Sequence, residues 1–436
     1  MSTIRQTLSI CPVCRERLPA SVVRRENGYF LEKTCPVHGF FSVIVWRGDD
    51  PAYEDWGSGY SPPPDSGGAA PRCPDGCGLC PGHLRKTCCA LVEVTLRCDL
   101  GCPVCYAKAG DDPAEQANDG HTAPEPTVDE LSGQFRLLVS AGNTFVQLSG
   151  GEPTIRGDLP EIIAAAKEAG CENIQLNSNG VRLGRDPGYA KSLREAGLSF
   201  VFMQFDGADD DVYVKLRGKP LLSEKKAAIK NCDDAMLGVT LVPTLVPGVN
   251  THQIGDIIDF GISNSPAVRG VHFQPVSYFG RYPRAPENDD RITLPEVLRA
   301  IEAQSGGKLK AGDFAPSRCD HPYCGFHGDF AVLPKKALLK LTPKTPAPCC
   351  SGDSHLENRN FVARRWNRSA QSEADSCGCD DYSELSAFAT RLKSHGFTIT
   401  AMAFQDAYNL DLERLRRCSL HVSSGGNMIP FCARYI

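Results

Sequence analysis

Apolar residues in the middle of the chain alternate between short continuous runs and longer stretches with helical spacing. Longer stretches at residues 127–140, 159–169 and 188–196 predict helices. Short runs that predict buried strands lie at residues 90–95, 145–148, 173–177, 200–205, 239–246 and 270–275. This alternation is typical of βαβ units around a parallel sheet, so the sequence predicts an α/β protein.

Six strands followed by helices favour a partial (β/α)6 barrel of the TIM type. An open, doubly wound sheet is the alternative that periodicity alone does not exclude. Regular alternation is absent from both ends of the chain, where Cys, Pro and Gly are frequent. We predict four parts. They are a metal-binding knuckle module at residues 1–56, a linker with a cysteine triplet at 57–87, the barrel at 88–290 and a Cys-rich C-terminal domain at 291–436.

Charge and hydropathy exclude two broad classes of protein. The 436 residues include 47 Lys and Arg against 52 Asp and Glu, a net charge of -5, so a general nucleic-acid binder is disfavoured. The polar N-terminus does not resemble a secretory signal, and Pro243 and Pro247 interrupt the apolar run after Leu237. We therefore expect a cytoplasmic protein that does not bind nucleic acid.

Cysteine is unusually abundant, with 21 residues. Thiols stay reduced in the cytoplasm, so cysteines at short spacing indicate metal sites rather than disulfides. Eleven of them lie within residues 11–105 and eight within residues 319–432. The two between, Cys171 and Cys232, are predicted to be core residues.

Two motifs follow consecutive predicted strands of the barrel. Cys98, Cys102 and Cys105 share one loop after the first strand, and three thiolates so placed can hold three irons of a 4Fe-4S cluster while the fourth iron stays open. The second strand ends in SGGEP at 149–153, where glycines let backbone approach a ligand and Glu152 can accept from an ammonium group. Taken singly, the motifs also fit a zinc knuckle and an ordinary turn. Their order on consecutive strands is more specific than either motif alone.

Through these motifs, residues 88 to about 280 resemble the radical S-adenosylmethionine (SAM) superfamily. The resemblance implies that Cys98, Cys102 and Cys105 ligate the cluster. It also implies that residues at the strand ends bind the cofactor, namely Gly150, Gly151, Glu152, Pro153, Ser178, Asn179, Gln204, Asp206 and Gln274. Asn179 and Asp206 have a second interpretation as turn residues that bond their own backbone. Val104 stands where many members carry an aromatic residue, and here Tyr106 follows the triplet.

The same resemblance implies the chemistry and the partners. One electron from the reduced cluster cleaves S-adenosylmethionine, and the resulting 5'-deoxyadenosyl radical abstracts hydrogen from a substrate carbon. The protein supplies orientation and excludes water, so no catalytic residue beyond the cluster and cofactor is predicted. Reduced ferredoxin or flavodoxin is the expected electron donor.

Further cysteines predict additional metal sites. Near the N-terminus, CPxC and CPxHG spacing favours a closed tetrahedral zinc or rubredoxin-like iron site, although His38 has the alternative of being a bystander. The expected ligands there are Cys11, Cys14, Cys35 and His38. A first auxiliary 4Fe-4S cluster, with zinc as the alternative metal, is expected on Cys73, Cys77, Cys80 and Cys88, with Cys89 as the alternative fourth ligand. A second is expected on Cys319, Cys324, Cys418 and Cys432, with Cys349, Cys350, Cys377 and Cys379 competing.

The segments 72–107 and 404–436 resemble the archaeal tetraether lipid synthase subgroup and its bacterial relatives. This resemblance implies carbon-carbon bond formation on a lipid-like substrate, a large apolar cavity and peripheral contact with a membrane. The alternative is a radical methyltransferase acting on a small pterin-like heterocycle, which requires a compact pocket with a few polar groups. A non-enzymatic multi-zinc protein is a third hypothesis, which the acidic charge balance disfavours.

Overall fold

The computed structural model describes residues 2–58, 74, 82–110, 125–317, 320–341, 365–368 and 383–436. Within these ranges the strands form one four-stranded and one thirteen-stranded sheet. Eight of the cysteines fall outside the described residues, and these are Cys73, Cys77, Cys80, Cys319, Cys349, Cys350, Cys377 and Cys379.

The N-terminal module is an antiparallel sheet whose four strands pair in chain order. Its strands are β1 (Ser2–Ile10), β2 (Arg17–Arg25), β3 (Gly28–Cys35) and β4 (Gly39–Arg47). Gly28 and Gly39 begin the last two strands with positive φ values of 139° and 78°, which glycine adopts without strain. The short helix α1 (Tyr53–Trp56) follows the sheet. The predicted knuckle module is therefore a β-sheet ribbon.

Six parallel strands form the centre of the large sheet. They are β5 (Cys89–Thr95), β6 (Phe145–Gly150), β7 (Asn173–Ser178), β8 (Phe200–Gln204), β9 (Gly238–Val242) and β11 (Val268–Pro275). The predicted strand at 239–246 is divided, because Pro243 has no N–H to donate to a neighbour; β10 (Thr244–Leu245) continues beyond it.

Helices connect these strands and cover the outer face of the sheet. They are α2 (Val128–Ser140), α3 (Leu159–Glu168), α4 (Val181–Arg185), α5 (Tyr189–Ala196), α6 (Asp210–Arg217), α7 (Leu222–Asp234), α8 (Ile254–Ser263) and α9 (Leu294–Gln304). Short 3-10 turns lie at Pro153–Ile155, Thr251–Gln253, Asn288–Asp290, Ala311–Asp313, Pro322–Cys324 and Pro334–Lys336. Thr127 shows how sequence starts a helix, since it and Glu130 form a capping box that satisfies free N–H groups of α2.

The strand order decides between the two predicted architectures. The central strands pair in the order β5, β6, β7, β8, β9, β11, which is the chain order without reversal. A doubly wound sheet reverses its order at a switch point, so the partial barrel is confirmed and the doubly wound alternative is wrong.

The C-terminal part of the chain extends this same sheet at both edges. Its strands are β12 (Ala315–Pro316), β13 (Gly325–Val332), β14 (Leu338–Lys340), β15 (Gly396–Met402), β16 (Leu420–Ser424) and β17 (Asn427–Pro430). β15 pairs in parallel with β11, and β16 pairs in parallel with β5. The remaining helices are α10 (Ser383–Ser394), α11 (Leu412–Leu415) and α12 (Phe431–Arg434). The described strands between Ala315 and Pro430 thus extend both edges of the barrel sheet.

Buried polar contacts join the ribbon to the C-terminal segment. The Lys33 ammonium, buried in the interface, donates to Ser9 Oγ at 2.9 Å and to the Tyr408 carbonyl at 2.8 Å. Arg5 pairs with the buried carboxylate of Asp411. The ribbon therefore packs against the barrel in one fixed place. Among the described residues, no helix is both long and apolar enough to span a bilayer.

Candidate active site

The loop that carries the cysteine triplet, residues 96–110 (the triplet loop), is held by backbone contacts on both sides. Cys105 and Arg281 exchange two backbone hydrogen bonds of 2.9 Å. The Arg281 guanidinium also donates to the carbonyls of Cys102 and Ala109. A loop fixed in this way presents its thiols in a single arrangement without a regular secondary structure of its own.

The two glycines of the SGGEP motif pack against this loop. A Cβ added to Gly150, whose φ is 123°, would lie 1.9 Å from the Thr95 carbonyl oxygen, and one on Gly151 would lie 2.1 Å from that of Arg97. Gly151 N–H donates to the Thr95 carbonyl at 2.8 Å. The absence of a side chain thus allows close approach to the end of β5 and the start of the triplet loop. Both glycines also line the cavity, and their predicted approach to a ligand stays a prediction.

Glu152 is buried at the end of β6, and most of its acceptor capacity is used by the protein. Its Oε1 accepts from Thr154 N at 3.0 Å and from Ser178 Oγ at 2.9 Å, while Oε2 accepts from Asn179 N. Burial raises the pKa of this carboxyl, and the hydrogen bonds oppose that shift. Oε2 keeps room for a second donor, such as a ligand ammonium group. Pro153 is buried directly behind it in the Pro153–Ile155 turn.

Asn179 makes the turn contact that the sequence offered as one interpretation, and it also contacts the triplet loop. Its Oδ1 accepts from Val181 N–H at 2.9 Å, which is a turn contact at the start of α4. Its Nδ2 donates to Asp99 Oδ1 in the triplet loop at 2.6 Å. The neighbouring Ser178 donates to Glu152. The end of β7 therefore supports the triplet loop and the SGGEP turn together.

Asp206 lies behind the cavity wall and acts through Arg217. Its fully buried carboxylate accepts from Arg217 Nε at 2.8 Å and Nη2 at 2.9 Å, and from Thr244 N at 3.1 Å. Burial disfavours the Arg217 charge, yet the Asp206 carboxylate raises the pKa of Arg217 above its usual value. Arg217 also lies near the Cys102 thiol, whose thiolate form would raise the pKa of Arg217 further. Asp206 therefore fixes a permanent positive charge beside one of the three cysteines.

A second buried cation lies next to this pair. Lys225 is fully buried on α7 and donates to Gln204 Oε1 at 3.0 Å and to the Asn179 carbonyl. Burial lowers the pKa of Lys225 to about 8. Sequence reasoning missed both Arg217 and Lys225, since each is an isolated residue on a helix. A basic residue late in the helix after a strand-end Asp is the only signal that the sequence offers for Arg217.

Tyr106, the aromatic residue after the triplet, joins the active site to the C-terminal tail. Its hydroxyl lies 2.9 Å from Ser149 Oγ, and its ring centroid lies 4.9 Å from that of Tyr435 and 5.7 Å from that of Phe431. The ring of Tyr106 therefore packs against the tail, and both Tyr106 and Val104 line the cavity described below.

A cavity of about 430 Å³ opens beneath the triplet loop inside the barrel. All three cysteines of the triplet line it, as do Glu152, Asn179 and most of the other predicted cofactor residues. The further residues of that set on the wall are Gly150, Gly151, Ser178, Gln204 and Gln274. Cys88 and Cys89 also reach this cavity, with Cys88 N–H donating to the Ser419 carbonyl at 2.8 Å.

The spacing of the thiols distinguishes two kinds of metal site. Within the described residues, one set of three or more ligating atoms lies entirely within 4.8 Å, and it comprises Cys11, Cys14, Cys35 and His38. Cys98, Cys102 and Cys105 are not part of such a compact set, and all three line the cavity. Burial raises the pKa of Cys98 to about 12, so bound iron is what would make the thiolate form favourable.

The N-terminal site has the dimensions of a tetrahedral metal site. The Cys14 and Cys35 sulfurs are 3.8 Å apart, and His38 Nδ1 lies 3.5 Å from the sulfurs of both Cys11 and Cys35. Metal–sulfur bonds of about 2.3 Å and metal–nitrogen bonds of about 2.0 Å in a tetrahedron give edges of this size. His38 faces the three thiols, so these four side chains fit one metal ion.

Three cysteines from distant segments meet beside the cavity in the C-terminal part. Cys324, Cys418 and Cys432 interact electrostatically with one another. Burial raises the pKa of Cys432 to about 12, and the Arg414 guanidinium donates to Cys324 Sγ at 3.5 Å. The buried Asp320 borders the same group. Their expected fourth partner, Cys319, lies outside the described residues.

A parallel barrel with a cysteine triplet and an SGGEP turn at the carboxyl ends of its strands defines a radical SAM enzyme. The family described as "Radical SAM superfamily" matches residues 92–261, and an "HMPTM N-terminal zinc ribbon domain" matches residues 3–47. The chain belongs to the radical SAM superfamily. It is an enzyme that uses S-adenosylmethionine and a 4Fe-4S cluster, with a further metal site in its ribbon.

Its similarity to one particular enzyme extends over nearly the whole chain. The chain is 31% identical over 488 aligned positions to the 7,8-dihydro-6-hydroxymethylpterin dimethyltransferase of Methanocaldococcus jannaschii, covering 98% of this chain and 92% of the relative. It is 30% identical over 241 positions to the Fe-coproporphyrin III synthase of Methanosarcina barkeri, covering 53% of this chain and 56% of the relative. Among solved structures, Streptococcus suis SuiB bound to S-adenosylmethionine matches 51% of this chain and 47% of its own, with 15% identity and a TM-score of 0.40.

Proposed function

We propose that this enzyme is a radical SAM methyltransferase that acts on a reduced pterin or a closely similar bicyclic heterocycle. The observation that carries the proposal is the near full-length similarity to a pterin dimethyltransferase. It favours the alternative drawn from the sequence over carbon-carbon bond formation on a lipid, for which the comparisons give no support.

The cavity lining agrees with a polar heterocyclic substrate. Side chains with amide, imidazole or hydroxyl groups line it from many different strands, and they are Gln147, Ser149, Gln175, Asn177, Gln204, Thr244, His272, Gln274, His327 and Thr400. The rest of the lining is largely apolar, with Phe202 and Trp366 among its residues. A flat ring system with donors and acceptors on its edge can use both kinds of wall, whereas a hydrocarbon chain offers no hydrogen bonds to the polar groups.

The ligand assignments belong to this proposal. Cys98, Cys102 and Cys105 would hold the 4Fe-4S cluster, which would supply the electron for cleavage of S-adenosylmethionine and so for hydrogen abstraction from the substrate. Glu152 would accept a hydrogen bond from the cofactor's amino group, and the triplet loop and the strand ends would hold the cofactor. Reduced ferredoxin or flavodoxin is the proposed electron donor.

Additional metals are proposed at the other cysteine groups. Zinc occupies the ribbon site of Cys11, Cys14, Cys35 and His38. An auxiliary cluster is proposed on Cys324, Cys418 and Cys432 with Cys319, supported by the mutual proximity of the first three. For Cys88 the structure supports a position at the cavity wall, and the proposed triplet partners Cys73, Cys77 and Cys80 lie outside the described residues.

The test is a direct assay of the anaerobically reconstituted enzyme with S-adenosylmethionine and a chemical reductant. Cleavage of S-adenosylmethionine to 5'-deoxyadenosine leaves the methyl group on methionine, so the assay also contains a separate methyl donor, either further S-adenosylmethionine or a reduced one-carbon carrier. With 7,8-dihydro-6-hydroxymethylpterin present, we expect 5'-deoxyadenosine, methionine and a pterin product in which one or two hydrogens have been replaced by methyl groups from that donor. A parallel reaction with long-chain ether lipids should give no coupled product. If lipid coupling occurs and no pterin is methylated, the proposal is wrong.

A triple variant, Cys98→Ala, Cys102→Ala and Cys105→Ala, tests the site. It should form no 5'-deoxyadenosine, because it lacks the proposed cluster ligands. Cys171→Ala is the matched control, since this thiol is buried in the core away from the cavity. Cleavage by the triple variant would contradict the assignment.

A further inference from the structure

Three polar side chains in the barrel have hydrogen-bonding atoms without a partner in the described part of the chain. Gln175, which is 2% exposed, donates from Nε2 to Asn177 at 2.9 Å and leaves Oε1 free. Gln147 accepts from Cys89 at 3.6 Å and leaves its amide N–H groups free. His272 is bonded at Nδ1 to Thr400 Oγ1, at 2.7 Å, which leaves Nε2 free.

These free atoms belong to side chains that line the same cavity as the triplet. Gln147 and Gln175 are direct partners in the pairing of β6 with β7. His272 approaches from the other side of the barrel, on β11. Among the described residues, the enclosed polar atoms that lack a partner do not include these three, so each is open to the cavity and to a ligand that fills it.

Aromatic rings form the floor beside these polar groups. The Phe202 ring centroid lies 4.6 Å from that of Trp366 and 5.7 Å from that of His272. Cys89, which contacts Gln147, packs in the same apolar group as Phe202 and Trp366. Aromatic faces next to unpaired amide groups suit a flat heteroaromatic ring, which needs stacking on its faces and hydrogen bonds on its edge.

The position of this floor along the strands separates it from the proposed cofactor site. Alternate residues of a strand share one face, so His272 and Gln274 both face the cavity, as do Phe202 and Gln204. Gln204 and Gln274 are two residues closer to the carboxyl ends, a separation of about 6.6 Å. The aromatic floor therefore lies two residues farther from the carboxyl ends of the strands than the proposed cofactor residues do.

We propose that Gln147, Gln175 and His272 bind the amino-oxo pyrimidine edge of the heterocycle, with its ring against Phe202 and Trp366. This inference rests on the proposed function and names the substrate subsite. The pyrimidine edge carries both N–H donors and carbonyl or ring-nitrogen acceptors, which match the free Oε1 of Gln175 and the free amide N–H groups of Gln147. The opposite ring, which carries the 6-hydroxymethyl group, then points toward the cofactor.

The test is anaerobic fluorescence titration of the holoenzyme with 7,8-dihydro-6-hydroxymethylpterin. Gln147→Leu, Gln175→Leu and His272→Phe should each weaken pterin binding at least tenfold. S-adenosylmethionine binding and substrate-free 5'-deoxyadenosine formation should change less than twofold, because these residues lie below the cofactor. Gln6→Leu, at an exposed glutamine of the ribbon, is the matched control and should bind pterin as the wild type does.

The outcomes separate the inference from the function on which it rests. If the wild type binds the pterin and the variants bind it equally well, the subsite is wrong and the proposed function stands. If the wild type binds no pterin, both fail. Equal loss of cofactor binding and of pterin binding in the variants would also overturn the subsite, because it would indicate a general disturbance of the barrel.

A modified ligand tests the proposed contact between Gln175 and the 2-amino group of the pterin independently of the variants above. A dihydropterin analogue without the 2-amino group should bind the wild type at least fivefold more weakly than the parent compound. Gln175→Leu should discriminate between the two compounds less than twofold, since the partner of that group has been removed. Undiminished discrimination by the variant would overturn the assignment of Gln175.

Discussion

Arg217 donates two hydrogen bonds to the buried carboxylate of Asp206, from Nε at 2.8 Å and from Nη2 at 2.9 Å. A guanidinium held at two points cannot turn away, so its position near the thiol of Cys102 is fixed, as is its third hydrogen bond, from Nη2 to Thr244 Oγ1 at 3.3 Å. Buried charge of this kind is stable only while it is paired. The pair therefore positions a positive charge at the cavity wall, beside a proposed ligand of the cluster.

Replacing Arg217 should lower the reduction potential of the cluster. Reduction adds negative charge, which a neighbouring cation stabilises. For Arg217→Met we expect a potential about 60 mV more negative, equivalent to a tenfold change in the one-electron equilibrium. Redox titration followed by electron paramagnetic resonance measures it. Arg185→Met, at an exposed arginine of α4, should leave the potential unchanged.

An equal potential in Arg217→Met and the wild type would mean that the guanidinium does not act on the cluster. Arg217→Lys provides a second check. It keeps the charge and loses the two-point contact with Asp206, so its potential should lie between the other two.

Gly151→Ala should disrupt the triplet loop. Its Cβ would lie 2.1 Å from the Arg97 carbonyl oxygen, so the backbone of one segment must move, at a cost of about 1–3 kcal/mol. We expect reduced iron and sulfide content after reconstitution and a lower melting temperature. Gly157→Ala, six residues along, is the matched control because its Cβ would meet no atom within 4 Å. Full iron content in Gly151→Ala would contradict this account of the motif.

Local patterns in the sequence were sufficient to predict the barrel and the chemistry-bearing loops. Apolar runs locate the strands to within a few residues, because a strand buried on both faces must be apolar along its length. The triplet and SGGEP motifs lie within single loops, so their spacing is visible in the chain. The same is true of CPxC and CPxHG in the ribbon.

Contacts between segments that are far apart in the chain could not be predicted from the sequence. β16 pairs Leu420 with Cys89, more than three hundred residues away, and nothing local to either residue specifies the other. Arg217 and Asp206 lie on different elements, and a buried ion pair has the same composition as an exposed one. The separate C-terminal domain was inferred from the loss of regular alternation, although its described strands extend the edges of the barrel sheet.

The ribbon site predicts that a single ligand change releases one metal ion. Cys14→Ser leaves three ligands of the tetrahedron, and the small ribbon depends on that metal for part of its folding free energy. We expect loss of one equivalent of zinc by elemental analysis, with faster hydrogen exchange in β1 to β4. Cys232→Ala, at a buried thiol of α7, should retain its zinc. Loss of iron instead of zinc would identify a rubredoxin-like centre.

His272 should give the enzyme a specific acid sensitivity. Burial lowers the pKa of its imidazole from 6.5 to about 4. Between these pH values the unfolded chain takes up a proton that the folded chain does not, so stability falls as the pH falls. The contribution of the neutral imidazole to the free energy of unfolding is fully present above pH 6.5 and is lost progressively toward pH 4. The total loss is about 3 kcal/mol.

Comparison with His272→Gln isolates this effect, because the other titrating groups and the clusters are common to both proteins. The wild type should lose more free energy of unfolding than the variant when the pH is lowered from 7 to 4.5, measured by anaerobic denaturant titration. Above pH 7 the difference between the two proteins should be constant, since the imidazole is neutral in both states there. A difference that stays constant down to pH 4.5 would show that His272 titrates normally and is open to water, which would also remove the enclosed floor on which the pterin subsite depends.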